Sequence, residues 1–105
     1  MYKVIIILLS GILIAQDDGL KAYLSGDYEN ARKYYESILE EKDENAAAQF
    51  GLGTTAFQQQ DLQGALDAFQ RALETDNKEL QSKAYYNIAN TMASQQKNEE
   101  ALAFY

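Results

Sequence analysis

The chain has 105 residues, enough for one small domain, and carries 9 Lys and Arg against 16 Asp and Glu, a formal net charge of -7. It contains no histidine and no cysteine, which excludes disulfides, zinc sites, cysteine nucleophiles and Ser-His-Asp triads. The acidic balance argues against nucleic-acid binding, because affinity for a phosphate backbone comes mostly from basic side chains. These limits leave a scaffold, a binding module or a carboxylate-based enzyme.

The N-terminal stretch, residues 1–15 (MYKVIIILLSGILIA), is a basic start followed by an apolar run. Lys3 precedes twelve mostly apolar residues that end at Ala15. A membrane-spanning helix needs roughly 20 such residues, whereas this length and a basic start are typical of a signal peptide. We therefore expect cleavage before Gln16 and export to the periplasm or the outer face of the inner membrane. The alternatives are an uncleaved membrane anchor and a short buried apolar element.

The remainder, residues 16–105, repeats a pattern of small and aromatic residues. An alanine recurs at intervals of 34 and 36 residues, with an aromatic residue four positions later and a small residue twelve positions earlier. The sets are Ala31, Ala65 and Ala101; Tyr35, Phe69 and Tyr105; and Gly19, Gly53 and Ala89. The predicted repeats are about 16–45, 46–81 and 82–105, the last truncated. The two extra residues of the second interval are expected in a turn at Asn77–Gln81.

Each repeat is predicted to hold two helices. Residues 28–42 and 62–75 place apolar side chains on one helical face, and residues 46–59 and 82–95 are the other helices. A glycine inside a helix costs ~1 kcal/mol relative to alanine, so Gly53 is interpreted as a point of close approach between paired helices. The predicted N-caps are Asp27, Asn45, Asp61 and Asn98.

This period near 34, with its small and aromatic positions, resembles the tetratricopeptide repeat family. The resemblance covers roughly residues 16–105. It implies an all-α fold, an α-solenoid of about two and a half antiparallel helical hairpins that follows the apolar N-terminal segment. Residues 79–105 (ELQSKAYYNIANTMASQQKNEEALAFY) are also similar to the periplasmic tetratricopeptide proteins of the Bacteroides aerotolerance (Bat) operons.

Adjacent carboxylates are the only remaining enzymatic signal. They occur at Asp17/Asp18, Glu40/Glu41, Asp43/Glu44 and Glu99/Glu100. Neighbouring residues on a helix point in different directions, so none of these pairs converges on a substrate as an acid/base pair must. The chain has no calcium-binding loop and no Gly-rich phosphate loop. We therefore predict a non-catalytic protein without cofactor or metal.

In the family that the chain resembles, the first helix of each repeat lines the concave surface and contacts ligands. This register selects nine residues: Tyr23, Phe50, Thr54, Phe57, Gln58, Lys83, Tyr86, Asn87 and Asn90. Asparagine amides suit an extended peptide backbone, and aromatic rings supply apolar area. We predict a scaffold of the cell envelope that binds a segment of another protein on this surface. Alternatively, Phe50 and Phe57 pack between repeats, and the two asparagines form hydrogen bonds within the solenoid.

A structural repeat that binds only copies of itself is the alternative function. The third repeat stops at Tyr105 inside its second helix, and a solenoid normally needs a polar cap over its last apolar face. Self-association would then use the C-terminal end, residues 101–105. The expected partners are therefore another protein or peptide segment or a second copy. Nucleic acid is not expected, and the membrane would be contacted only through an uncleaved N-terminal segment.

Overall fold

The computed structural model describes residues 18–103, with side chains as far as residue 100. The elements are a helical segment α1 at residues 18–24, then α2 Tyr28–Glu41, α3 Ala46–Gln58, α4 Leu62–Ala72 and α5 Lys78–Ala103. Residues 18–103 contain helices and connecting turns and no strand. Sequence neighbours pack in turn, α2 on α3, α3 on α4 and α4 on α5, as in a solenoid. The predicted all-α fold is thus confirmed, while the predicted signal segment 1–15 and Tyr105 lie outside the described residues.

Three predicted N-caps begin the helices as expected. Side-chain oxygens of Asp27, Asn45 and Asp61 accept hydrogen bonds from the backbone N–H three residues later, at 3.3, 3.0 and 3.0 Å. Each bond satisfies one of the N–H groups that a helix start leaves without a partner. The starts of α2, α3 and α4 are therefore encoded locally.

The turns before α2 and α4 repeat each other. Gly26 has φ +82° and Gln60 has φ +63°, and the two positions are 34 residues apart. This left-handed backbone conformation is free of penalty for glycine and unfavourable for glutamine. The second turn therefore has the same shape as the first but is built with a less suitable residue.

The paired helices approach closely at the predicted small residues. A Cβ atom on Gly53 would lie 2.6 Å from the ring of Phe69, and one on Gly19 would lie 2.7 Å from Cζ of Tyr35. Both distances are far inside van der Waals contact, so these positions exclude larger residues. Ala65 is completely buried. The interpretation of Gly53 and Ala65 as packing residues is confirmed.

Helix α5 repeats α3 with an offset of 36 residues. The hydroxyls of Thr55 and Thr91 are equivalent: both residues are fully buried, and each donates to the carbonyl four residues earlier, at 2.8 and 2.7 Å. Ala48 and Ala84 are buried in the same equivalent way. The longer interval found in the sequence is therefore a real property of the fold, and both extra residues precede Ala84.

The start of α5 differs from the prediction. The helix begins at Lys78 rather than residue 82, because the Asn77 side chain accepts from the backbone N–H of Leu80 at 3.1 Å and caps the helix one turn earlier. Residues 78–81, where the extra residues are expected to form a turn, are thus the first turn of α5, and the connection before it, residues 73–77, is one residue longer than residues 42–45 between α2 and α3. Helix α4 correspondingly ends at Ala72, three residues before the prediction. The connection after it is held by Gln81, whose amide donates to the carbonyls of residues 73 and 75.

The end of α5 also differs from the prediction. The helix runs unbroken to Ala103, so the predicted N-cap Asn98 lies inside it. Asp27 and Asp61 each stand four residues before the repeated alanine, and in the third repeat Lys97 stands at that position. An ammonium group cannot accept a hydrogen bond from a backbone N–H. The third turn therefore lacks the cap that begins α2 and α4.

Among residues 18–103, no helix is both long enough and apolar enough to cross a bilayer.

Candidate functional site

A cavity of about 220 Å³ opens where the first helices of the successive repeats lie side by side. Its lining comes from α1, α3, α4 and α5 and consists of Tyr23, Thr54, Phe57, Gln58, Phe69, Asn87 and Asn90. Six of these seven residues belong to the nine predicted from the sequence. We call this cavity the concave pocket.

The base of the concave pocket is part of the hydrophobic core. Phe69 is 1% exposed and forms a buried cluster with Ala56 and Ala65. Phe50 and Phe57 pack against this cluster, and the ring centroids of Phe50 and Phe69 are 5.6 Å apart. Close packing of this kind holds the rings in fixed positions. The pocket therefore has a preformed apolar base.

One side of the concave pocket is held by a contact between repeats. The amide of Gln58 donates to the hydroxyl of Tyr23 at 3.3 Å, which joins α3 to α1. The Tyr23 ring also packs edge-on against Tyr28 of α2, with centroids 5.6 Å apart. Tyr23 is thus fixed by contacts to both neighbouring helices.

The other side is formed by Asn87 and Asn90 of α5. They are three residues apart, so their side chains lie on the same face of the helix. Asn87 is half-buried and Asn90 is exposed. Within the part of the chain that the structure describes, neither side chain makes a hydrogen bond, although the Asn87 backbone carbonyl accepts from Thr91. The alternative that these amides bond within the solenoid is therefore not observed in these residues.

The concave pocket carries no formal charge, because none of its lining residues is acidic or basic. Lys83 lies outside the lining, and its Nζ pairs with Glu79 Oε1 at 3.3 Å on the exposed surface. Tyr86 also lies outside the lining and is 70% exposed. A ligand in this pocket would be held by hydrogen bonds and apolar contact rather than by ion pairs.

A larger groove of about 650 Å³ adjoins the concave pocket and shares Tyr23 and Thr54 with it. Its walls are mainly apolar and include Leu20, Ile38 and Phe50. Tyr35 also lines it. Burial raises the pKa of the Tyr35 hydroxyl, and the neighbouring Tyr34 and Tyr23 raise it further. The two cavities together form a continuous surface across the first two repeats and α5.

Phe50 is predicted from the sequence to lie on the binding surface, and in the structure it lies between the concave pocket and the core. It lines the adjoining groove while its ring packs on Phe69. Phe69 itself was missed as a pocket residue because the prediction considered only the first helix of each repeat. Its position sixteen residues after Gly53 is the signal that could have found it, since this spacing brings its ring beneath α3.

Residues 19–80, more than half of the chain, match the family model of the tetratricopeptide repeat. The chain belongs to the tetratricopeptide repeat family. None of the curated proteins compared with the chain matches it. Repeats of this family generally mediate protein–protein interactions and generally have no catalytic role.

Proposed function

We propose that this chain is a non-catalytic scaffold of the cell envelope that binds an extended segment of a partner protein in the concave pocket. The observation that carries the proposal is the pair Asn87 and Asn90. Two amide side chains without partners among the described residues border a cavity whose base is aromatic. This combination suits a ligand that presents both peptide groups and an apolar side chain.

The spacing of the two asparagines fits an extended backbone. Side chains three residues apart on a helix lie about 5–6 Å apart, and alternate peptide groups of an extended chain lie roughly 6.5 Å apart. Each primary amide offers two donors and one acceptor. Asn87 and Asn90 can therefore bind successive outward-facing peptide groups of one segment.

The aromatic base supports an apolar anchor in the ligand. Phe57 and Phe69 line the concave pocket, and no charged group does. An apolar side chain placed there loses contact with water and gains contact with rings that are already ordered. The expected partner is an extended, uncharged segment with one large apolar residue, and its affinity should depend little on salt.

The proposed place of action is the periplasm or the outer face of the inner membrane. It is supported by Lys3 and the apolar run that follows it, a pattern typical of export signals. The resemblance of residues 79–105 to the periplasmic tetratricopeptide proteins of the Bat operons supports the same location. Oligomerisation without a peptide ligand is the alternative, and it would leave Asn87 and Asn90 without a role.

The test uses peptides of about ten residues selected from a random display library against the chain. Their dissociation constants are measured by calorimetry for the chain and for the Asn87→Ala/Asn90→Ala variant. Loss of two hydrogen bonds of about 1 kcal/mol each should weaken binding by roughly tenfold or more. The unfolding midpoint should stay nearly the same, because these side chains make no hydrogen bond among the described residues.

The matched control is Gln63→Ala/Gln70→Ala, which removes two exposed amides of α4 outside the concave pocket. It should bind the same peptides as tightly as the unaltered chain. Equal affinities for the asparagine variant and the unaltered chain would exclude the pocket as the binding surface. Unfolding of the asparagine variant would show that the two residues are structural.

A further inference from the structure

Among the described residues, helix α5 packs on one face and leaves a second, partly apolar face exposed. Ala84, Ile88 and Thr91 form a stripe that is buried or half-buried against the preceding helices. On another stripe Tyr85 is 63% and Met92 56% exposed, and Ala89 between them is also exposed. We call Tyr85, Ala89 and Met92 the outer face of α5. A helix that is apolar on two sides normally packs on two sides.

The repeat register identifies what would cover the outer face. Helix α3, the equivalent of α5, packs against both α2 and α4. Its Gly53 meets Phe69 of α4, sixteen residues later. The equivalent of Gly53 is Ala89, and sixteen residues after it stands Tyr105. The chain therefore contains the residue that the register requires, with Ala101 in the place of Ala65.

Within residues 18–103, α5 carries its C-terminal part away from the outer face of the same molecule. Because α5 is continuous to Ala103, residue 101 lies twelve residues from Ala89, about 18 Å along the helix axis at 1.5 Å per residue. Residues 96–100 are all exposed, so this part of the helix extends beyond the helices that pack against α5. The outer face and the extended end of one molecule are thus complementary in register but separated in space.

We propose that two copies of the chain exchange the C-terminal part of α5. Residues 98–105 of each copy pack antiparallel on Tyr85, Ala89 and Met92 of the other, in the register with which α4 packs on α3. The exchange is reciprocal, so one twofold axis satisfies both copies and closes the assembly as a dimer. It uses a different stripe of α5 from Asn87 and Asn90 and does not depend on peptide binding.

The cause of the exchange lies in the missing third turn. The first two turns place Gly26 and Gln60 in the left-handed region, each followed by an aspartate that caps the next helix. The equivalent residues are Gln96 and Lys97, which continue the helix instead. A turn at these two residues would let the segment fold back within one chain.

Disulfide trapping in the Ala89→Cys/Ala101→Cys variant tests the exchange directly. The unaltered chain has no cysteine, so every disulfide formed is informative. A disulfide needs Cα atoms within about 7 Å. Reciprocal exchange predicts a covalent dimer on a non-reducing gel, held by a bond between residue 89 of one copy and residue 101 of the other, which peptide mapping identifies. The Gln70→Cys/Ala101→Cys variant is the control and should give no specific dimer.

The second variant, Gln96→Gly/Lys97→Asp, installs the residues of the first turn. It should shift the mass in solution, measured by light scattering, from dimer to monomer, whereas Gln96→Ala/Lys97→Ala should remain a dimer. A monomeric mass for the unaltered chain at all concentrations up to about 1 mM would overturn the proposal. So would a dimer that persists in the Gly-Asp variant, or an 89–101 disulfide formed within one chain of the otherwise unaltered protein.

Discussion

The ring of Phe69 lies directly against the backbone of Gly53, where a Cβ atom would be only 2.6 Å from the ring. This contact joins the two helices of the second repeat. The same ring, 1% exposed, forms the base of the concave pocket. The packing that defines the repeat therefore also positions the surface on which a ligand would lie.

Larger residues at position 53 or 65 should destabilise the fold. Gly53→Leu and Ala65→Leu would each force the paired helices apart and cost about 1–3 kcal/mol. Urea unfolding followed by circular dichroism measures this as a lower midpoint. Gln70→Leu adds a comparable side chain to an exposed position of α4 and should leave the midpoint nearly unchanged. Unaltered midpoints in both test variants would refute the proposed register.

The turn at Gln60 should become more stable with glycine. Gln60 adopts φ +63°, a conformation that disfavours residues with a Cβ atom, and Gly26 occupies the equivalent place in the first turn. Gln60→Gly should raise the free energy of unfolding by up to about 1 kcal/mol. Gln70→Gly, inside α4, should instead lower it by about 1 kcal/mol. Thermal melts of the Gln60→Gly and Gln70→Gly variants measure the two opposite changes in stability. Equal destabilisation by the two changes would show that Gln60 is not strained.

The Asp61 carboxylate should make stability depend on pH. Its pKa is lowered, chiefly because it accepts a hydrogen bond from the backbone N–H of Gly64 and also because Arg32 donates to it and is close to it. Arg32 Nη2 lies 3.0 Å from Asp61 Oδ2. Since the pKa is lower in the folded state, this stabilisation is present above the unfolded value near 4 and is lost as pH falls through the folded value.

The Asp61→Asn variant measures that contribution. Asparagine still caps a helix, so the variant should lose the charge interaction while keeping the start of α4. The Asp61 side chain is 41% exposed, and the expected loss near neutral pH is therefore small, below about 1 kcal/mol. The urea midpoints of the unaltered chain and the variant should begin to converge as the pH falls below about 4, and they should coincide once the pH is below the folded pKa of Asp61. A constant difference at every pH would contradict the assignment.

The proposed export signal predicts a defined mature N-terminus. If residues 1–15 are removed on export, N-terminal sequencing of the exported protein should begin at or near Gln16. Lys3→Glu removes the basic start and should reduce export. Soluble cytoplasmic protein that retains Met1 would contradict this part of the account.

The sequence predicted most of the fold because each helix start and close approach depends on a few local residues. Asp27, Asn45 and Asp61 cap their helices. Gly53 lies so close to the ring of Phe69 that a larger residue would not fit there. The end of α5 was not predicted because Asn98 is a suitable cap by residue type but stands one position out of register. Whether a helix continues past such a residue depends on the partner that the next segment finds, which is a tertiary property.

The site was predicted less completely than the fold. The repeat register identifies the helices that line the concave pocket, but it does not identify which residues of each helix face it. Side chains one position apart on a helix point about 100° apart. Asn87 therefore lines the concave pocket while Tyr86 lies on the exposed surface. The pairing of Lys83 with Glu79 likewise depends on side-chain positions that the repeat pattern does not contain.

The most direct test of the proposed function is an NMR titration of the 15N-labelled chain with a display-selected peptide. The side-chain amide groups of Asn87 and Asn90 give resonances separate from the backbone. We expect these resonances to shift most, together with backbone signals around Thr54 and Phe57, because all four residues line one pocket. Shifts confined to other surfaces, with the Asn87 and Asn90 amides unchanged at saturation, would contradict it.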